Sequence, residues 1–327
     1  MLKLFGNGGG ILSMDATERN LFMRRYGIGL VMLLMIVILA ITSPAFRTGD
    51  NVTSILLQVS INGILSLGMV FVMITGGIDI SVGSMLALTS SVVGMMLIKT
   101  GSIWLSITVA ILTTALAGFL NGFLVARFKM FPFVVTLATQ LVFRGVGYLI
   151  SGGYAHSIEV PEFKIIGTGR LFGVIPYPII IFIVCVVAAY IILHNTKLGR
   201  YTYAVGGNIN AATASGVKVN KTLICSYVIS GICCGIAGII MTSRINASQP
   251  NVGVGYETDA IAACVIGGAS FTGGIGTIPG TAIGIIIIGL IYNGLNLLGI
   301  NSYWQTITKG LLIIGAVMLD LLLHRKK

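Results

Sequence analysis

Residues 51–98 read NVTSILLQVSINGILSLGMVFVMITGGIDISVGSMLALTSSVVGMMLI, 48 positions in which Asp79 is the only charge. As a single helix the stretch would be about 72 Å long at 1.5 Å per residue. That is roughly two crossings of a hydrocarbon core ~30 Å thick. The run is broken only by Gly76, Gly77, Ile78 and Asp79, so the chain is expected to reverse direction near Asp79. This pattern belongs to a polytopic membrane protein.

The rest of the chain repeats it. Further apolar runs occupy 26–44, 102–126, 131–150, 177–194, 223–243, 256–270, 278–299 and 302–323, which with 52–75 and 78–98 makes ten expected helices. The weakest is 256–270, which is short, begins with Glu257 and Asp259, and runs into the glycine-rich GGASFTGGIGTIPG at 267–280. It reads as a full span or as half of a broken one. Broken or re-entrant helices are therefore expected near 76–79 and 267–280, and the two breaks share an acidic, glycine-rich character that hints at related halves. Gly231 and Gly235, four apart within one run, suit a close helix–helix approach.

Composition agrees. The 327 residues are 56% hydrophobic and 9% charged, with mean hydropathy +1.00, whereas soluble domains carry about a quarter charged residues. Such a chain cannot clothe its surface in polar groups, so lipid is its solvent. The net charge of +11 sits in the connections and has no aromatic interleaving of the kind that binds single strands, so no nucleic acid is expected. With the N-terminus in the cytoplasm, ten spans place thirteen Lys and Arg inside and five outside, the bias the positive-inside rule expects. An odd span count would move the tail HRKK outside. Arg24 and Arg25 flank a first run long enough to cross the bilayer, which argues against a cleaved leader. The expected organisation is an N-terminal cytoplasmic segment 1–25, a single membrane domain 26–323 with a cytoplasmic loop at about 195–222, and a cytoplasmic tail 324–327.

Cys185, Cys225, Cys233, Cys234 and Cys264 lie in apolar runs without ligand spacing, and His156, His194 and His324 stand apart from one another. They read as packing and surface residues, with no metal site. No GxxxxGK[ST], HExxH or GxSxG motif is present, so neither a P-loop nor these enzyme classes are indicated. Charges at membrane depth are costly and default to a functional reading. Here they are Asp79, Arg144, Asp259 and Lys309, with Glu257 nearer the outer surface. Structural ion pairing is the competing reading for each, and Asp79 can also cap the helix that follows.

One polar island interrupts the apolar runs, YTYAVGGNINAATASGVKVNK at 201–221. Asn210 as N-cap and Gly216 as a stop delimit a short helix over 211–215, either a plain connector or a cytoplasmic handle. Ala211, Ala212 and Gly216 resemble the EAA-x3-G motif of ABC importer permeases. LGRYTYAVGGNINAATASGVKVNK (198–221), GGIDISVGS (76–84), YETDAIAACVIGGASFTGGIGT (256–277) and NGLNLLGINSYWQ (293–305) resemble the monosaccharide, ribose-type branch of that family. Asn210 stands where the family has Glu, so a negative charge near the helix start is lost.

The resemblance implies an all-α polytopic bundle of about ten transmembrane helices with both termini cytoplasmic, in a bacterial inner membrane. It implies a non-catalytic subunit paired with a second permease copy or a close relative. A separate ATP-binding subunit would use ATP and Mg, this chain holding no cofactor, and a periplasmic or surface sugar-binding protein would deliver the sugar. The ATPase-coupling helix would involve Gly206, Gly207, Asn208, Asn210, Ala211, Ala212, Ser215 and Gly216. The translocation path or its gate would involve Asn62, Asp79, Ser81, Asp259 and Asn293, and the binding protein would meet Arg47, Lys164, Arg170, Arg244 and Glu257. Ribose, galactose, xylose, arabinose or a sugar-like quorum signal all suit the branch. An ion-coupled secondary transporter and a structural membrane subunit are the alternatives from other classes, and the polar island speaks against the former.

Overall fold

Residues 16–324 are described by the structure, a computed structural model of the chain. Residues 1–15 of the expected N-terminal segment and 325–327 of the expected tail lie outside the described residues. Thirteen α-helices follow one another: α1 (Ala16–Thr42), α2 (Gly49–Ile74), α3 (Val82–Thr100), α4 (Ile103–Phe128), α5 (Pro132–Ser151), α6 (Pro161–Thr168), α7 (Tyr177–Tyr190), α8 (Lys197–Gly207), α9 (Ile209–Ala214), α10 (Val219–Ile245), α11 (Tyr256–Ile266), α12 (Ile278–Leu297) and α13 (Ser302–His324). Among the described residues there are also a 3-10 turn at Pro44–Arg47 and two short antiparallel pairs, β1 (His156–Ser157) with β4 (Ala247–Ser248) and β2 (Arg170–Leu171) with β3 (Ile175–Pro176).

All ten apolar runs are helical. Among the described residues, seven helices are long and apolar enough to cross a membrane: α2, α3, α4, α5, α7 with the π turn that extends it, α10 and α12. The helix α11 is not one of them. Its 11 residues rise about 16 Å, half of a hydrocarbon core.

The helix α2 is the axis of the bundle. Its most apolar window is 83% buried, against 17% for α7. A helix so enclosed has to satisfy most of its polar side chains internally. Ser60 and Ser66 donate to the carbonyls four residues back, at 2.6 and 2.7 Å. Around α2 stand α10, α11, α12 and α7. The outer helices α4, α5 and α7 keep leucine, valine and phenylalanine exposed, including Leu116, Leu141 and Val184, as lipid-facing surfaces do.

Small residues set the close crossing of α4 with α10. A Cβ at Gly118 would overlap the Tyr227 carbonyl, one at Gly231 the Thr114 carbonyl, and one at Gly235 would stand 2.6 Å from the Thr114 hydroxyl. The expected close approach at Gly231 and Gly235 is therefore observed, with α4 as the partner.

The stretch between α10 and α12 crosses the bundle in three pieces. Residues 247–249 run extended beside α3 and 250–255 form successive turns. A Cβ at Gly94 would overlap Ser248, Gln249 N donates to the Ser90 hydroxyl at 3.1 Å, and a Cβ at Gly83 would overlap the Gly253 carbonyl. Then comes α11, and then the loop 267–277, which reaches the far end of α2, where Gly274 N donates to the Ile74 carbonyl at 2.8 Å. The short run at 256–270 is thus the helical part of a broken traverse. Non-helical backbone inside a membrane bundle must find partners in protein. Arg144 on α5 supplies two of them, donating from Nη1 to the Pro250 and Val252 carbonyls at 3.1 and 2.6 Å.

Candidate functional site: two breaks and the connector beneath them

The first break follows α2. Gly76 has φ +81°, a left-handed conformation that glycine adopts without a Cβ penalty, and the chain turns back along α2. Asp79 is fully buried there. Its Oδ1 accepts the backbone N–H and hydroxyl of Ser81, at 3.1 and 2.6 Å, and its Oδ2 accepts the Ser230 hydroxyl of α10 at 2.9 Å. Asn121 of α4 donates to the Ser81 hydroxyl at 2.8 Å. Asp79 therefore holds the turn ahead of α3, which begins at Val82, and ties it to α4 and α10. The N-cap of α3 is Ser81 rather than Asp79, because the helix starts later than expected, and Asp79 instead closes a turn onto the Ser81 N–H two residues ahead.

The second cluster centres on Asp259 of α11, which is 2% exposed. Tyr292 of α12 donates to it at 2.8 Å, Asn62 of α2 at 3.3 Å and Lys309 of α13 at 3.2 Å. The Lys309 ammonium lies 4.7 Å from the centre of the Tyr292 ring, a cation–π distance. Four helices meet at one carboxylate. Asn293 makes a different junction, exchanging amide hydrogen bonds of 2.6 and 3.1 Å with Asn51 near the start of α2. Asn62, Asp79, Ser81, Asp259 and Asn293 all serve helix–helix hydrogen bonds within the chain. The structure joins Asn62 to Asp259 and Asp79 to Ser81, and leaves Asn293 apart from both.

Beneath the breaks lies the polar island. It forms two helices, α8 and α9, joined by Asn208 alone. Asn208 is the N-cap of α9, its Oδ1 accepting the N–H groups of Asn210 and Ala211, both at 3.0 Å. The expected N-cap, Asn210, is instead the second helical residue, because the helix starts two positions earlier than expected. Gly216 ends the motif as expected, at φ +79° with Val217 N bonded back to the Ala212 carbonyl. Ala212 is buried, and Asn210, Ala211 and Ser215 are exposed.

Beside α9 opens a cavity of about 1170 Å³, lined by Asn210, Lys129, Lys218, Lys221, Gly77 and Tyr227 among others. It runs from the exposed helix to the first break. The connector also touches the breaks directly. Tyr203 donates its hydroxyl to the Gly276 carbonyl at 2.6 Å, and a Cβ at Gly206 would overlap the Ile74 carbonyl oxygen. Burial raises the Tyr203 phenol above its ordinary value, so it stays protonated and able to donate at neutral pH.

At the opposite end, Arg47, Lys164, Arg170 and Arg244 are exposed. Glu257 is not with them and needs correction as an outer-surface residue. It is 9% exposed, its Oε1 accepts the Gly255 N–H at 3.2 Å, and its Oε2 crowds the place a Cβ would take at Gly83. The turns at 250–255 ahead of α11 carry it inward. Sequence reading missed Tyr203, Ser230, Tyr292, Asn121 and Asn51. Their partners lie 33 to 242 residues away, and no local pattern announces such pairs.

Comparison with known proteins fits this arrangement. Residues 51–317 match the family described as branched-chain amino acid transport system / permease component. The ribose import permease protein of Bacillus subtilis is 42% identical over 91% of this chain and 93% of its own. The L-arabinose transport system permease protein of Escherichia coli is 37% identical over 90% of each, and the D-allose transport system permease protein of the same organism 36% over 95% and 97%. No solved structure matches the chain. With a family match over most of its length and relatives aligned almost end to end, the chain belongs to the permease components of bacterial ABC importers, as a multi-pass subunit of the inner membrane.

Proposed function

We propose that the chain forms the membrane path of an ATP-driven ribose importer, acting in a pair with a second copy or a close relative. The reading is carried by the exposed helix α9, whose lysine-lined cavity reaches the first interruption of the bundle, and by the adjoining α8, whose Tyr203 bonds to the second. A separate ATPase, which alone handles ATP and Mg, seats on α9 and this cavity. The basic residues gathered there support a cytoplasmic position for that end. Ten membrane segments then leave both termini inside, the broken traverse through α11 counting as one. A sugar-binding protein meets the other end at Arg47, Lys164, Arg170 and Arg244. Asn62, Asp79, Ser81, Asp259 and Asn293 support the gate as hydrogen-bonded joints. Ribose is the substrate because several of the most similar relatives are ribose import permeases. Arabinose and allose permeases follow at 37% and 36% identity.

The test is affinity purification from native membranes followed by uptake of labelled ribose, arabinose and allose. Recovery of an ATP-binding subunit in stoichiometric amount, with ATP-dependent ribose uptake, is the expected outcome. Uptake that follows an ion gradient in the purified chain alone would overturn the reading in favour of a secondary transporter.

A further inference from the structure

Tyr203, Gly206 and Gly207 occupy one face of α8, three and four residues apart. That face meets two segments distant in sequence. Tyr203 donates to the Gly276 carbonyl at 2.6 Å, on the loop between α11 and α12. Gly206 lies so close to the end of α2 that a Cβ would overlap the Ile74 carbonyl and stand 2.5 Å from Gly274 N. The two segments are also joined to each other. Gly274 N donates to the Ile74 carbonyl at 2.8 Å. A Cβ at Gly273 would stand 2.8 Å from Gly76 N and 3.0 Å from the Gly206 carbonyl. Gly273 and Gly274 have φ of +84° and +75°, so the loop keeps this shape only with glycine there.

Three backbones thus converge where side chains would prevent contact. Packing of this kind has no flexible side chain to absorb a displacement. Only Asn208 separates α8 from α9, and Asn208 N donates to the Ala204 carbonyl while its own carbonyl accepts Ala212 N, at 3.1 and 2.9 Å. A movement of α9 passes into α8 without an intervening hinge loop.

We infer that the Tyr203–Gly206 face of α8 is the joint that makes the two membrane breaks move as one body with the connector, and that Tyr203 is a positioning residue for transport. The inference rests on the permease reading above. Tyr203 touches no sugar in this account. Its hydroxyl pins the loop 267–277 to the connector, so that displacement of α9 shifts the end of α2 and the start of α12 together. Gly206 on α8 and Gly273 and Gly274 opposite it supply the close approach that makes the pin short.

The test uses the full complex with its ATPase in proteoliposomes and reads ATP hydrolysed per sugar imported. Tyr203→Phe deletes one hydroxyl and keeps the ring. The expected result is unchanged co-purification of the ATPase with roughly tenfold more ATP hydrolysed per sugar, the effect of losing one well-placed hydrogen bond. A Tyr203→Phe complex with the wild-type ratio would overturn the joint. A wild-type chain that captures no ATPase would overturn the permease reading, a distinct result. A measurement on unaltered Tyr203 guards against a variant that does not assemble. Spin labels at Asn210→Cys and Ile275→Cys should hold one distance with and without ATP while each moves relative to a label at Ser302→Cys. A change in the 210–275 distance on ATP binding would show that connector and loop move independently, and would end the proposal.

Discussion

Lys309 on α13 holds Asp259 on α11 in an ion pair of 3.1 Å, the carboxylate almost fully buried and the ammonium about a quarter exposed. The lysine thereby fastens the short helix of the broken traverse to α13, while Asn62 and Tyr292 fasten it to α2 and α12. Two charges that looked separate along the chain form one joint. Removing one partner strands a buried charge, whereas removing both leaves a neutral site. Lys309→Met is therefore expected to destabilise the protein by about 3 kcal/mol, and Lys309→Met with Asp259→Asn to recover most of that loss. Thermal unfolding in detergent checks both.

Asp79 has no cation among its hydrogen-bond partners and accepts three hydrogen bonds from Ser81 and Ser230. Asp79→Ala leaves the Ser81 N–H and two buried hydroxyls without their acceptor, at a cost of about 1–3 kcal/mol. Asp79→Asn keeps one acceptor oxygen and is expected to retain part of the stability and of the uptake. Equal loss in the two variants, measured as membrane yield and sugar uptake, would show that the charge itself is needed.

Arg144 spans two carbonyls of the turns that precede α11. Lysine brings a point charge without the guanidinium fork. Arg144→Lys is expected to keep fold and membrane yield with reduced uptake. Arg144→Met leaves both carbonyls unpaired at depth and should lose about 2 kcal/mol or more, seen as a lower unfolding temperature.

The helix α9 offers a sharper test of partner docking. Ala212 is its buried residue and Gly216 closes it at positive φ. Gly216→Pro forces φ negative and deletes the N–H that reaches the Thr213 carbonyl. Gly216→Pro and Ala212→Leu are both expected to abolish co-purification of the ATPase while the membrane domain still unfolds at its normal temperature. Gly216→Ala should cost about 1 kcal/mol and weaken ATPase capture only partly.

Hydropathy alone disclosed the membrane class, the ten helical runs, the reversal near Asp79 and the polar island, because lipid demands long apolar helices and tolerates little else. The resemblance of a few short motifs disclosed the transporter family. The start of α9 was misplaced by two residues because Asn208 and Asn210 are equally good N-caps, and neighbouring helix packing chooses between them. The place of Glu257 and the partners of Arg144, Asp259 and Lys309 were decided only in three dimensions. An acidic residue beside a glycine-rich segment reads as surface until that segment is seen to run inward past Gly83. The contact of α8 with both breaks depends on glycines that carry no side chain to signal what they touch, and on backbone carbonyls that every residue possesses. Periodicity along a chain reports what faces lipid, whereas these joints are made by polar groups buried between helices, and their pairing exists only once the helices have packed.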